Sequence, residues 1–416
     1  MKYEIGDKVI VSGKYSGIVM PGSSRNHLIL KHETGYNYGV DITSKTKIEK
    51  IGSVKLGEHK PVKMKIIYDK FKPLVHVLST GGTISSKIDY TTGAIHASYS
   101  AEDLIKSVPE ISQFANIESR KIMNIMSENV TAGDWVKMAK AIQRSINEKP
   151  KGIMITHGTD TLVYTSSMLS YMIQKPEIPI VLTFAQKSSD RGASDAFMNI
   201  ICSAATAITD IAEIVVVGHG TIDDDYCLIN RGTKIRKMHS SRRDSFRPIN
   251  TLPIGKIWPN GKTEYLSEYR KSSGKMIIDT KIEENAGIIK FYANMNPRVI
   301  EMHVKAGYRG VIIQGTGLGY VNQASIKALQ NAVKSGVFIG MTTQEYGRVN
   351  PYVYSELRRI AETGVIYLED MTTEAAYTKL MWVLGHTKNM KKAKEMMLTN
   401  ISGEISERIG IDTFLY

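Results

Sequence analysis

Apolar residues recur in two different rhythms along this chain. Up to about residue 51 they come in short runs: Val9-Ile10-Val11, Gly17-Ile18-Val19, Leu28-Ile29-Leu30 and Gly39-Val40-Asp41-Ile42. Gly, Ser and Asn stand between the runs. Several short strands with turn signals between them predict a small β-barrel, assigned here to residues 1–60. Such a module can offer a docking surface, and it holds no obvious catalytic group. A lysine-rich stretch follows, with 61–72 read as a linker.

From Pro73 the rhythm changes to strands alternating with helical patterns. Leu74-Val75-His76-Val77-Leu78 is a buried-strand pattern ended by Gly81-Gly82. Ile153-Met154-Ile155, Ile180-Val181-Leu182 and Ile214-Val215-Val216-Val217 repeat it. Thr131-Ala132-Gly133-Asp134 has the form of a helix N-cap with an acid at the third position, leading into Trp135 and Met138. Leu162, Thr165, Leu169 and Met172 fall on one helical face. This order predicts an α/β architecture, a parallel sheet covered by helices on both sides. Sites in such sheets lie beyond the carboxyl ends of the strands. The charged region 256–284 reads as an irregular crossing to a second α/β unit. That unit holds strand patterns at Val311-Ile312-Ile313, Val337-Phe338-Ile339 and Val365-Ile366-Tyr367, with helices from about Gln323 and Glu374. The two α/β domains are placed at 73–270 and 271–416.

Composition narrows the class. The 416 residues, 42% apolar and 23% charged, suffice for two or three domains with their own cores. Cys202 and Cys227 form no C-x-x-C pair and match no metal-ligand spacing, so a reduced chain without a disulfide framework or metal is expected. No apolar run approaches bilayer length, and the N-terminus lacks a signal-peptide core, so a cytoplasmic location is expected. The net charge of +13 favours a polyanionic partner. It is equally what a lysine-rich proteome gives for solubility, and charge alone leaves both readings open.

Three motifs carry candidate chemistry. Ser79-Thr80-Gly81-Gly82-Thr83-Ile84 follows the first strand directly. Its glycines permit a sharp turn and close ligand approach, although a Gly-Gly turn with Thr83 as a helix cap is common. Thr156-His157-Gly158-Thr159-Asp160-Thr161 follows another strand. A hydroxyl beside a carboxylate can bind an amino acid and orient a proton carrier, while Asp160 is as readily an ordinary N-cap. The basic run Arg231-Gly232-Thr233-Lys234-Ile235-Arg236-Lys237-Met238-His239 is either a solvated face or the source of a lysine that activates a hydroxyl. No P-loop is present.

Taken together, Thr-Gly-Gly-Thr-Ile, His-Gly-Thr-Asp-Thr and a Lys nine positions before Phe246 resemble the bacterial-type L-asparaginase family from about Pro73 to Leu384. Ala306 to Ile312, Gly315-Thr316-Gly317-Leu318-Gly319 and Asp370 to Ala375 extend the match. The resemblance implies an asparaginase-like pair of α/β domains. It makes Thr83 the nucleophile, Thr159 the second catalytic threonine, and Asp160 and Lys237 the rest of the relay. Ser127 falls where the family binds the substrate α-carboxylate. Glu128 stands where it often has an amide near the α-amino group. Backbone N–H groups at Gly82 and Gly158 would face the oxyanion. Tyr90 and Tyr99 lie where the family carries a tyrosine on a mobile loop.

The amino-terminal segment Tyr3 to Val9, followed by Gly17 to Pro21, is similar to the D-subunit family of archaeal glutamyl-tRNA(Gln) amidotransferases, as is the segment Arg231 to Phe246. That likeness implies a glutaminase that supplies ammonia to a partner E subunit (GatE), which converts Glu-tRNA(Gln) to Gln-tRNA(Gln). ATP and magnesium would bind the partner, with no cofactor in this chain. It also implies a homodimer through the asparaginase domains within a larger complex. The alternatives are a stand-alone L-asparaginase or glutaminase, and a catalytically silent binding protein.

Overall fold

The computed structural model describes residues 3–20, 23–24, 26–32, 37–54, 69–81, 86–88, 95–97, 108–187 and 193–416. The first module holds β1 (Asp7–Val11), β2 (Tyr15–Val19), β3 (His27–Lys31), β4 (Asn37–Asp41) and β5 (Ile48–Ser53). They form one antiparallel sheet in the order β4-β3-β2-β1-β5. Val9, Val11, Val19, Leu28, Leu30 and Val40 are all buried in a single cluster. The strand registers put all six on one face of the sheet, with Tyr3, Tyr38, Ile42 and Ile48 packed against them. The alternation of apolar and polar positions supplies that face.

The central sheet is built on β6 (Leu74–Ser79), β7 (Asn116–Lys121), β8 (Gly152–Thr156), β9 (Ile180–Thr183) and β10 (Ile214–His219). These five are parallel, in the order β7-β6-β8-β9-β10. Successive residues divide between two cores. Ile153, Ile155, Leu182 and Val216 point to one, and Met154, Val181, Val215 and Val217 to the other. A strand buried on both faces is apolar along most of its length, which is why these runs are nearly continuous.

The sheet is mixed rather than wholly parallel. Beyond β10 it continues through β11 (Cys227–Arg231), β14 (Gly255–Ile257) and β15 (Thr263–Tyr265), each antiparallel to its neighbour. Part of the expected irregular crossing is therefore sheet edge. The short strands β12 (Ile235–Lys237) and β13 (Phe246–Pro248) pair with each other as a separate antiparallel ribbon. Polar β7, Asn-Ile-Glu-Ser-Arg-Lys, gave no apolar signal because it is an edge strand, buried at its first two residues and only partly covered beyond them.

Helix α1 (Ala132–Ile146) starts at the capping box read from the sequence, with the Asp134 carboxylate accepting the Thr131 N–H at 2.9 Å. Helix α2 (Leu162–Met172) is buried on nearly every side, not on one face only. It lies between the central sheet and helix α6 (Thr373–His386) of the second unit. Helix α3 (Ala196–Ala207) covers the opposite face of the sheet.

The second unit is a four-stranded parallel sheet, β16 (Ala286–Lys290), β17 (Gly310–Gly315), β18 (Phe338–Thr343) and β19 (Ile366–Tyr367). Helices α4 (Arg298–Lys305) and α5 (Ser325–Lys334) accompany it. Two buried ion pairs fasten this region. Lys234 Nζ lies 2.5 Å from Asp370 Oδ2, and Lys379 Nζ lies 2.5 Å from Glu404 Oε1. Such pairs cost desolvation and repay it through geometry. Here both lysines also donate to backbone carbonyls.

Candidate active site

The carboxyl ends of β6 and β8 lie side by side, since Ser79 is in register with Thr156. Thr80 Oγ1 donates to the Thr156 carbonyl at 2.7 Å and so holds the two ends together. Gly81 has φ +106°, and a Cβ there would stand 2.7 Å from the Ile125 carbonyl oxygen. Only glycine makes that turn. Gly82 and Thr83, which follow it, lie outside the described residues, as do Tyr90 and Tyr99.

On β8 the chain leaves the sheet through His157-Gly158-Thr159-Asp160. A Cβ on Gly158 would come within 2.7 Å of Ser127 Cβ. The glycine therefore permits the segment carrying Ser127 to lie against this turn. Ser127 is buried in the short turn Ser127–Asn129, and its Oγ accepts the Asp160 N–H at 3.2 Å. Its carbonyl accepts the Thr161 hydroxyl at 2.6 Å. The neighbouring Glu128 is exposed to solvent.

Lys237 completes the group. Its Nζ lies 2.8 Å from Thr159 Oγ1 and 2.8 Å from Asp160 Oδ1. Alternation along β12 aims Lys237 at these residues and Arg236 the other way, where it forms a bidentate pair with Glu374 at the start of α6. Across the β12–β13 pair, Lys237 is opposite Phe246, whose ring packs 4.2 Å from that of Phe184 beyond β9. Lys234, three residues earlier, is buried against Asp370 and takes no part. Thr159 is buried while Asp160 is largely exposed, so the cluster opens to solvent on the carboxylate side.

Sequence reasoning gave His157 no role, yet it holds the turn. Its Nδ1 lies 2.7 Å from the Gly158 carbonyl, which can only accept, so Nδ1 carries the proton. Nε2 is then left to accept from Thr165 Oγ1 at 3.0 Å, and Trp135 Nε1 donates to the same hydroxyl at 2.9 Å. Complete burial lowers the imidazole pKa to about 4 and keeps it neutral. A second unread support is Asp195, fully buried at the start of α3. Its carboxylate accepts the backbone N–H of Gln186 and Lys187. An Asp just before an apolar helical run is a start signal that could have marked it.

Much of the basic run proves to be internally paired. Arg231 meets Glu213, Arg236 meets Glu374, Arg242 and Arg247 share Asp244, and Arg243 meets Asp224.

Comparisons with known proteins give the family. Residues 74–271 match the asparaginase N-terminal model, 285–397 the glutaminase/asparaginase C-terminal domain, and 3–51 the GatD N-terminal domain. The chain is 44% identical to the D subunit of the Pyrococcus horikoshii glutamyl-tRNA(Gln) amidotransferase, across all of this chain and 95% of that protein. It is 43% identical to the corresponding D subunit from Methanothermobacter thermautotrophicus, across 99% of this chain and 96% of the other. Among solved structures, the thermostable L-asparaginase from Thermococcus kodakarensis superposes with TM-score 0.74 at 33% identity, over 80% of this chain and all of its own. Likeness from end to end, amino-terminal module included, places this chain in the family of glutamyl-tRNA(Gln) amidotransferase D subunits, built on the asparaginase fold.

Proposed function

We propose that this chain is the amide-hydrolysing subunit of a glutamyl-tRNA(Gln) amidotransferase, with glutamine or asparagine as the nitrogen donor. The observation that carries the reading is the bridge from Lys237 Nζ to both Thr159 Oγ1 and Asp160 Oδ1. An ammonium group only donates, so Thr159 Oγ1 is an acceptor in that contact and its own proton is free to point elsewhere. A hydroxyl so fixed can pass a proton to or from a reacting group, and Asp160 holds the lysine in place.

In this reading the Thr83 hydroxyl attacks the side-chain carbonyl carbon of the substrate. The C–N bond breaks, the nitrogen gains a proton and leaves as ammonia, and an ester remains on Thr83. Water then hydrolyses the ester, giving the free acid and restoring the hydroxyl. Thr159, Asp160 and Lys237 move the protons in both halves. Ser127 Oγ accepts from Asp160 N–H, so its proton is available to the substrate α-carboxylate. Glu128 stands beside it, where an α-amino group would bind. Gly82 and Gly158 supply backbone N–H groups toward the oxyanion.

Ammonia passes to the partner E subunit, where ATP, with magnesium, activates the γ-carboxyl of Glu-tRNA(Gln) and ammonia displaces the phosphate. This chain itself needs no cofactor. A pair of copies joined through the asparaginase domains, each with one E subunit, is the proposed assembly.

The nucleophile is tested directly by quenching the wild-type protein with glutamine and mapping the adduct by mass spectrometry. A glutamyl ester on Thr83, absent from Thr83→Ala together with all amide hydrolysis, is the expected result. Hydrolysis surviving in Thr83→Ala would move the nucleophile elsewhere.

A further inference from the structure

Apart from the threonine–lysine cluster, three chemically able side chains converge where β6, β7 and the end of α1 meet. His76 on β6 is directly opposite Glu118 on β7 in the parallel register. Glu148 follows the carboxyl end of α1, one turn beyond Ser145. The His76 side chain is wholly buried, and its Nε2 is a buried nitrogen with no hydrogen-bond partner. That nitrogen faces Glu118 Oε2 at 3.6 Å and Glu148 Oε2 at 3.7 Å, too far for hydrogen bonds. Buried polar atoms are rarely left unpaired without a reason.

The spacing suggests the reason. Three donors about 2.1 Å from a tetrahedral ion stand about 3.4 Å from one another. The nitrogen here is 3.6 and 3.7 Å from the two oxygens, and all three donor atoms lie within 4.8 Å of one another. On the other side of the ring, Nδ1 lies 2.5 Å from Ser145 Oγ. A proton on Nδ1, donated to that hydroxyl, leaves the Nε2 lone pair aimed between the carboxylates. Metal-binding histidines are oriented in this way, by a hydrogen bond from the ring nitrogen that does not touch the ion. Burial also favours the neutral imidazole that a metal requires.

We propose that His76 Nε2, Glu118 and Glu148 bind a zinc-class divalent cation, with water as a fourth ligand. One imidazole and two carboxylates suit zinc and its first-row neighbours better than magnesium or calcium, which prefer all-oxygen shells. The ion would join the edge strand β7 and the end of α1 to β6. Its competitor is Arg120, whose guanidinium pairs with Glu148 through both nitrogens and lies 3.5 Å from Glu118. Both glutamates and Arg120 are partly exposed, so a cation can enter and the arginine can swing outward. The sequence offered no hint, because the three ligands are 42 and 30 positions apart.

The test is titration of the untagged full-length chain with Zn²⁺ by calorimetry, with Co²⁺ absorption as a reporter of geometry. One ion per chain is expected, giving the intense visible bands of four-coordinate cobalt and a higher Tm. Glu118→Gln and Glu148→Gln should each weaken binding at least tenfold, and the double variant should abolish it while keeping the wild-type circular dichroism. Arg120→Gln should tighten binding by removing the competing cation. No uptake by the wild type would assign the gap to a proton on His76 and overturn the proposal. Uptake unchanged in the double variant would overturn it equally, by locating the ion elsewhere.

Discussion

Lys237 spends two of its three N–H bonds on Thr159 and Asp160, and its strand is held on one flank by Arg236–Glu374 and on the other by the Phe246–Phe184 contact. A side chain fixed this firmly suits proton transfer better than it suits ground-state binding. Replacing Lys237 by Ala should therefore lower kcat for amide hydrolysis by about 10²–10⁴-fold and change KM for glutamine little. Steady-state kinetics decides this, and an unchanged kcat would remove the lysine from the mechanism. His157 makes a second residue-scale prediction. Its pKa is 6.5 in the unfolded chain and about 4 when buried, so between those values the unfolded chain binds more protons. Stability is then full above pH 6.5 and falls as pH drops toward 4, by roughly 3 kcal/mol from this residue alone. Urea unfolding at pH 7 and pH 4.5 should show the loss, and His157→Asn should flatten it. The same pH slope in the variant would assign the loss to other groups.

Elements were legible wherever both faces were buried. The runs Ile153-Met154-Ile155, Ile180-Val181-Leu182 and Ile214 to Val217 lie within β8, β9 and β10, because a two-sided core demands continuous apolar residues. The edge strands of the central sheet were invisible for the converse reason. β7 carries Glu118, Ser119, Arg120 and Lys121, and β15 carries Thr263, Glu264 and Tyr265, patterns that water tolerates and pairing alone makes extended. Helix α2 misled differently: its periodic face was real, yet α6 from the second unit covers what should have been a solvent face. No local pattern reports a neighbour two hundred residues away. The α1 start was readable because capping is local chemistry. Asp134→Ala removes the acceptor of the Thr131 N–H and hydroxyl, and should cost about 1 kcal/mol in urea unfolding without altering catalysis. No measurable cost would mean that water replaces the carboxylate at this helix end.

At the scale of the whole molecule, three of the residues expected in the site were brought together by the fold: Thr159 and Asp160 from one strand end and Lys237 from a strand pair far along the chain. Ser127 reaches the same turn because Gly158 leaves room for it. The motifs suggested these residues, but the seat of Lys237 also depends on Phe184, which no motif contains, and on Glu374, whose motif gave no sign of a pairing with Arg236. Charge was the least legible property. Net charge left a polyanionic partner and mere solubility equally open, and the arginines from Arg231 to Arg247 are paired with Glu213, Asp224, Asp244 and Glu374. Among the described residues, no helix is long and apolar enough to cross a membrane.

Coupling to tRNA separates an amidotransferase component from an independent asparaginase, whose fold this chain shares over four-fifths of its length. The deciding measurement is ammonia release from glutamine by the purified chain, first alone and then with the E subunit, ATP, magnesium and Glu-tRNA(Gln). The account predicts slow release alone and strong stimulation by the full mixture, with ammonia appearing as Gln-tRNA(Gln). Rapid release by the chain alone, unaffected by tRNA and partner, would contradict it.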